Sequence, residues 1–162
     1  LGTIGEKGEN AGRGHNINIP LPAGSGGSAY LAVLDDVVLP ALHVFKPDLI
    51  VIACGYDACY FDPLSHMLLT ANHFRTMTQK IMQAADELCG GRIVANHEGG
   101  YSDFYVPLCG IAVIDTLAGI SSGVKDPYAG TEFVANQNLY PHQQDAINQV
   151  INGPLQTLLQ RY

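Results

Sequence analysis

Two short segments, Asp48-Leu49-Ile50-Val51-Ile52-Ala53 and Arg92-Ile93-Val94-Ala95, are almost continuously apolar and rich in β-branched residues. Runs of this length without alternation suit strands covered on both faces, as in a parallel sheet. Between them Phe74, Met77, Ile81, Ala84 or Ala85, and Leu88 recur at helical spacing. Thr70 stands ahead as an N-cap candidate, and Gly90-Gly91 follows as a stop. Helix alternating with buried strand predicts an α/β layered fold built on a parallel sheet.

The flanking segments extend this pattern. Residues 1–13 are polar and glycine-rich and read as a loop. Asn16-Ile17-Asn18-Ile19 alternates like a short half-buried strand stopped by Pro20. Residues 23–27 form a turn into a helix; they lack the Gly-Lys-Ser/Thr ending of a phosphate-binding loop. From Ser28, Leu31, Leu34, Val37, Ala41 and Phe45 keep helical spacing, with Pro40 expected to kink or divide the run. Ser102 is positioned to cap a helix containing Val106, Val113, Ile114 and Leu117. After a loop over residues 119–138, Pro141 opens a last helical region over residues 139–162, interrupted at Gly153-Pro154. No internal repeat is present.

Composition narrows the function classes. At 162 residues, 47% hydrophobic and 14% charged, the chain fits one domain with a sizeable core and is not expected to be disordered. No apolar run approaches the roughly 20 residues that span a bilayer, so no membrane partner is expected. The first residues carry Gly, Glu and Lys instead of an apolar signal core. The chain begins at Leu1, not Met, which is expected of a segment with an upstream part elsewhere. A net charge of −7 with scattered Lys and Arg argues against a nucleic-acid surface, while an acidic surface attracts a small cation. Cys54, Cys59, Cys89 and Cys109 form no Cys-x-x-Cys pair and lie in apolar segments. They read as core residues of a reducing, cytoplasmic setting.

In open α/β sheets, ligands bind beyond the carboxyl ends of the strands. The first strand runs out into Cys54-Gly55-Tyr56-Asp57-Ala58, and the second into His97-Glu98-Gly99-Gly100-Tyr101-Ser102. If the strands are parallel in one sheet, Asp57 and Tyr101 emerge at the same edge. Alone, an Asp after a strand also serves as a cap or turn former, and a Tyr after Gly-Gly also packs beneath a loop. The glycine pair permits close backbone approach or positive φ.

Gly12-Arg13-Gly14-His15-Asn16-Ile17-Asn18-Ile19-Pro20-Leu21-Pro22 resembles the glycine-rich segment of class II histone deacetylases and bacterial acetylpolyamine amidohydrolases. Pro47 to Ala58 resembles the segment carrying that family's third zinc ligand, followed by Asp62-Pro63-Leu64. Glu98-Gly99-Gly100-Tyr101-Ser102 resembles the loop of its catalytic tyrosine. The likeness covers about residues 5–127 in the same order. It implies the C-terminal half of a three-layer arginase/deacetylase-like α/β fold, the whole chain being one partial domain.

The resemblance also implies roles. Asp57 would be a carboxylate ligand of a catalytic zinc, and Tyr101 would hydrogen-bond the oxyanion of the tetrahedral intermediate. Gly99 and Gly100 would wall a narrow channel for acetyl-lysine or an acetylpolyamine. Tyr at position 101, in place of the His of the weakly active vertebrate class IIa branch, favours deacetylase chemistry. The family's Asp-x-His ligand pair and tandem His-His base are absent from this sequence. Zinc is therefore expected in the complete enzyme and not tightly held by this chain alone. Gly27 stands where many relatives place an acidic residue, and His15 where an aromatic residue is common. A non-catalytic structural or interaction module is the rival reading. A manganese ureohydrolase of the arginase fold would need Asp-x-Asp and Asp-x-His clusters that this sequence lacks. Apolar surface left by a missing half predicts a homo-oligomer.

Overall fold

Strand β1 (Ile50–Cys54) pairs in parallel with β2 (Ile93–His97), in register from Ile50 opposite Ile93 to Cys54 opposite His97. The structure, a computed structural model, describes residues 2–161. The connection between the strands is α3 (Ala71–Cys89), a right-sized crossover for parallel neighbours. Both strands lie where the apolar runs predict them, with β2 continuing to His97.

Helix α3 starts and stops as its sequence requires. Thr70 is extended, and its Oγ1 accepts the backbone N–H of His73 at 3.4 Å. The Nδ1 of His73 accepts the Thr70 N–H in return, at 3.0 Å. This reciprocal pair satisfies two N–H groups that a helix start leaves unpaired; here a His does what Glu or Gln usually does. Gly90 ends the helix in the left-handed conformation at φ 61°. A Cβ on Gly27 would run into the His73 ring, so glycine at 27 and histidine at 73 belong together.

Ahead of β1, α1 (Gly27–Val33) and α2 (Leu39–Phe45) form one continuous helical run, joined by a wide π turn at Leu34–Val38. Pro40 therefore does not divide the helix. Proline lacks an N–H and crowds the carbonyl four residues back, here that of Asp36; the widened turn removes that conflict. The run Gly27–Phe45 is long and apolar enough to cross a membrane by length and composition, which reading the sequence for apolar runs did not bring out. It carries Asp35 and Asp36 at its centre, with Asp35 paired to Lys80 of α3 at 2.8 Å. Its Ala29, Val33, Leu34 and Val37 are buried against the rest of the chain.

Helix α4 (Val106–Ala118) packs along α3, and its Cys109, Ala112 and Val113 join Cys54, Tyr56, Cys59, Phe74 and Tyr105 in the central core. All four cysteines are free and buried, as their apolar setting predicts. Ser102 does not cap α4. Its carbonyl accepts the N–H groups of Tyr105 and Val106, making a preceding turn, and its hydroxyl has no partner. Helix α5 (Pro141–Val150) continues through a π turn at Ile151–Leu155, holding Pro154, into α6 (Gln156–Leu159). Ile147, Val150, Leu155 and Leu158 close over Val33 and Val37.

Two expectations fail for physical reasons. Asn16 to Ile19 joins no sheet, although its alternation is used. Ile17 and Ile19 pack toward the α1–α5 core, while the Asn16 and Asn18 amides donate to Glu6 O at 2.6 Å and Thr3 O at 2.9 Å. Nor are the strands covered on both faces. Ile50, Ile52, Ile93 and Ala95 pack against the helices. On the opposite face Val51 is 63% exposed and Val94 52%, because no helix of the described residues lies there.

Burial lowers the pKa of His73 from its ordinary 6.5, with the charge of Glu132 opposing in part. The imidazole is thus neutral in the fold, as its acceptor role at Nδ1 demands. A depressed folded pKa contributes stability that is present above pH 6.5 and is lost as pH falls through the folded value. His73→Gln can keep the reciprocal cap without titrating. Urea unfolding of both proteins between about pH 8 and pH 5 should show the wild type losing more stability on acidification than the variant.

Candidate active site

Beyond Cys54 and His97 the two strands stay joined. Glu98 N donates to Cys54 O at 3.1 Å, and Tyr56 N donates to Gly99 O at 2.7 Å. These bonds bring the Gly55–Asp57 and Gly99–Tyr101 turns side by side at the carboxyl edge of the sheet. Tyr56 itself is buried, its ring edge-on to those of Phe74 and His97 at 5.3 and 5.0 Å between centroids. Burial, then its contact with Cys54, pushes its phenol well above the ordinary range. It serves as an anchor that leaves Asp57 facing out.

The glycines make room for the side chains of Asp57 and Tyr101. A Cβ on Gly99 would sit 2.8 Å from Asp57 Oδ2 and 3.4 Å from the Tyr101 phenol oxygen. A Cβ on Gly55 would sit 2.9 Å from Asp57 Oδ1. A Cβ at either position would displace the Asp57 carboxylate, and the Asp57 and Tyr101 side chains both border Gly99. Gly100 has φ 136°, and a Cβ there would press on Tyr56 Cβ at 2.9 Å and Val106 at 3.0 Å. The sequence-predicted set Asp57, Gly99, Gly100 and Tyr101 is thus brought together in one place. Tyr101 is 53% exposed, and Asp57 is half-buried.

Two neighbours were given no role in the site by the sequence, Tyr30 being unremarked and Asp62 standing only in Asp62-Pro63-Leu64. Tyr30 of α1 borders the site: burial, then the negative charge of Asp57, raises its phenol to about 12. Asp62 is buried, and its carboxylate accepts three backbone N–H groups. Leu64 N and Ser65 N reach Oδ1 at 2.9 Å each, and Tyr101 N reaches Oδ2 at 2.8 Å. The Asp-Pro pair signals a turn, which accounts for the two local bonds. The bond to Tyr101 spans 39 residues and has no sequence signal. The intervening loop is clasped where Cys59 and Leu69 bridge, with Leu69 N on Ala58 O and Tyr60 N on Leu69 O.

Among the described residues, no group of three or more His, Cys, Asp and Glu side chains could hold a metal ion. Asp57 offers a single carboxylate, whereas a catalytic zinc normally takes three protein ligands. The residues of this chain therefore do not by themselves fit a closed zinc site. His43 pairs with Glu87, His73 caps α3, His97 packs on Tyr56, and His142 stacks on Tyr140.

A pair of parallel strands delivers a carboxylate and a phenol to one edge of the sheet, and comparison with known proteins identifies the family. The pattern of the histone deacetylase domain matches residues 1–117, so the chain belongs to that family. A histone deacetylase-like amidohydrolase of Pseudomonas aeruginosa is 52% identical over 120 residues, covering 74% of this chain and 32% of the relative. A probable deacetylase of Archaeoglobus fulgidus is 36% identical over 124 residues, covering 75% of this chain and 34% of its own length. The crystal structure of the HDA15 HD domain superposes with a TM-score of 0.80 at 28% identity, over 100% of this chain and 41% of that one. The fold is therefore the α/β fold of deacetylases. The chain spans about a third of the length of these curated relatives, 32% and 34%.

Proposed function

We propose that this chain is the C-terminal part of a zinc-dependent amidohydrolase that removes acetyl groups from acetyl-lysine or acetylpolyamines. The observation that carries the reading is the convergence of Asp57 and Tyr101 on Gly99 at the carboxyl edge of β1 and β2. In the complete enzyme a bound zinc would polarise the acetamide carbonyl and lower the pKa of water. Asp57 would supply one anionic oxygen to hold it. Tyr101 would donate its phenol proton in a hydrogen bond to the oxyanion that forms as the carbonyl carbon becomes tetrahedral. Gly99 and Gly100, lacking side chains, would let the acyl group pass close to the backbone.

The lack of any three-residue metal cluster among the described residues favours a second reading for the chain on its own: a non-catalytic structural or interaction module. Its setting would be the cytoplasm, in keeping with four free buried thiols. A net charge of −7 supports a small cationic or neutral substrate over nucleic acid. The bare face of β1 and β2, with Val51 and Val94 exposed, supports association with a second copy.

Three outcomes test these proposals. Metal analysis after dialysis, paired with an acetyl-lysine or acetylpolyamine assay, should find sub-stoichiometric zinc and negligible turnover in the isolated chain. Stoichiometric zinc with turnover abolished by Asp57→Ala would overturn the incomplete-site reading. In a complete enzyme bearing this segment, Tyr101→Phe should lower kcat by about 10²–10³ and change KM far less; an unchanged kcat removes Tyr101 from the mechanism. Light scattering over a wide dilution range should show a dimer or larger species, and a well-folded monomer at micromolar concentration defeats self-association.

A further inference from the structure

Tyr101 presents a problem of placement. Its ring is half exposed, and it follows Gly99-Gly100, with Gly100 at φ 136°. Glycine pairs give a chain conformational freedom, and an exposed ring supplies little packing to restrain it. The loop must therefore be held by its backbone. Two pins are present: Gly99 O receives Tyr56 N, and Tyr101 N donates to the buried carboxylate of Asp62.

We infer that Asp62 is the positioning residue for Tyr101, fixing where the phenol stands relative to Asp57. The inference rests on the reading of Tyr101 as the phenol of the site. The two oxygens of Asp62 divide the work: Oδ1 holds the Leu64 and Ser65 N–H groups of its own turn, and Oδ2 holds Tyr101. Bonds to a carboxylate acceptor are about twice as strong as neutral ones, and the Asp62 side of this one is buried. The turn after β1 and the loop after β2 are thus tied beyond the ladder bond from Tyr56 N to Gly99 O by a second bond, from Tyr101 N to Asp62 Oδ2.

The full chain tests this by solution NMR. Asp62→Asn is close to isosteric. Its amide oxygen can stay on Leu64 N and Ser65 N while its NH2 group faces Tyr101 N, which then has no acceptor. The variant keeps the local turn and cuts the long-range bond. Loss of a hydrogen bond to a charged group corresponds to about 10- to 100-fold in a local opening equilibrium. The Tyr101 amide should therefore exchange with solvent about 10- to 100-fold faster in Asp62→Asn. The nuclear Overhauser contact between the Tyr101 ring and Gly99 should weaken, while the Leu64, Ser65 and β1 amides keep wild-type protection. Unchanged Tyr101 exchange and ring contact would overturn the assignment. Protection lost equally across β1 would also overturn it, because Asp62 would then be a general stabiliser. Neither metal nor substrate enters the measurement, so its failure is separable from failure of the deacetylase reading, which the Tyr101→Phe turnover assay decides.

Discussion

The parallel pairing of β1 and β2 is the interaction on which the site depends. Asp57 and Tyr101 are far apart in sequence and have no helix or hairpin in common. They meet because Cys54 lies opposite His97 and because the ladder continues past both strands through Glu98 N and Tyr56 N. A slip of one residue in this register would turn Ile50 and Ile52 to the bare face and would separate the two turns. Helix α3 protects the register by packing Ala85 and Cys89 against Ile50, and its own start is fixed by the Thr70–His73 cap.

Much of this was readable in the residues themselves. The two β-branched runs, the α3 periodicity, Thr70 and Gly90 are local signals with local causes, and each element formed where they stood. Asp57 and Tyr101 were visible as strand-end residues, and the match to deacetylase motifs gave them roles. What escaped reading depends on distant partners. Asn16 to Ile19 alternates like a strand, yet a strand needs an edge to pair with, and here the Asn16 and Asn18 side chains bond loop carbonyls instead. Pro40 should break a helix, and only a wider turn beneath it shows otherwise. Ser102 has the chemistry of a cap without the position. The third bond of Asp62 joins two turns that nothing in the local sequence relates.

The exposed side of the sheet has the same origin. Continuous apolar runs predict strands covered on both faces, and Val51 and Val94 stand exposed instead. The described helices cover them once, and the chain corresponds to about a third of its curated relatives, 32% and 34%.

The way α5 and α6 lean on α1 bears on the order in which the molecule assembles. Cys54, Tyr56, Phe74, Tyr105 and Cys109 all lie before the end of α4, so the core beneath the site is complete once that helix has been synthesised. Val33 and Val37 wait for Ile147, Val150 and Leu158. The Val33 and Val37 side of this helical run is therefore covered only once α5 and α6 are in place, whereas Tyr30 and Leu42 of the same run pack on cores laid down before them. Without α5 and α6 that apolar side would face solvent, while the core beneath Asp57 and Tyr101 needs neither helix.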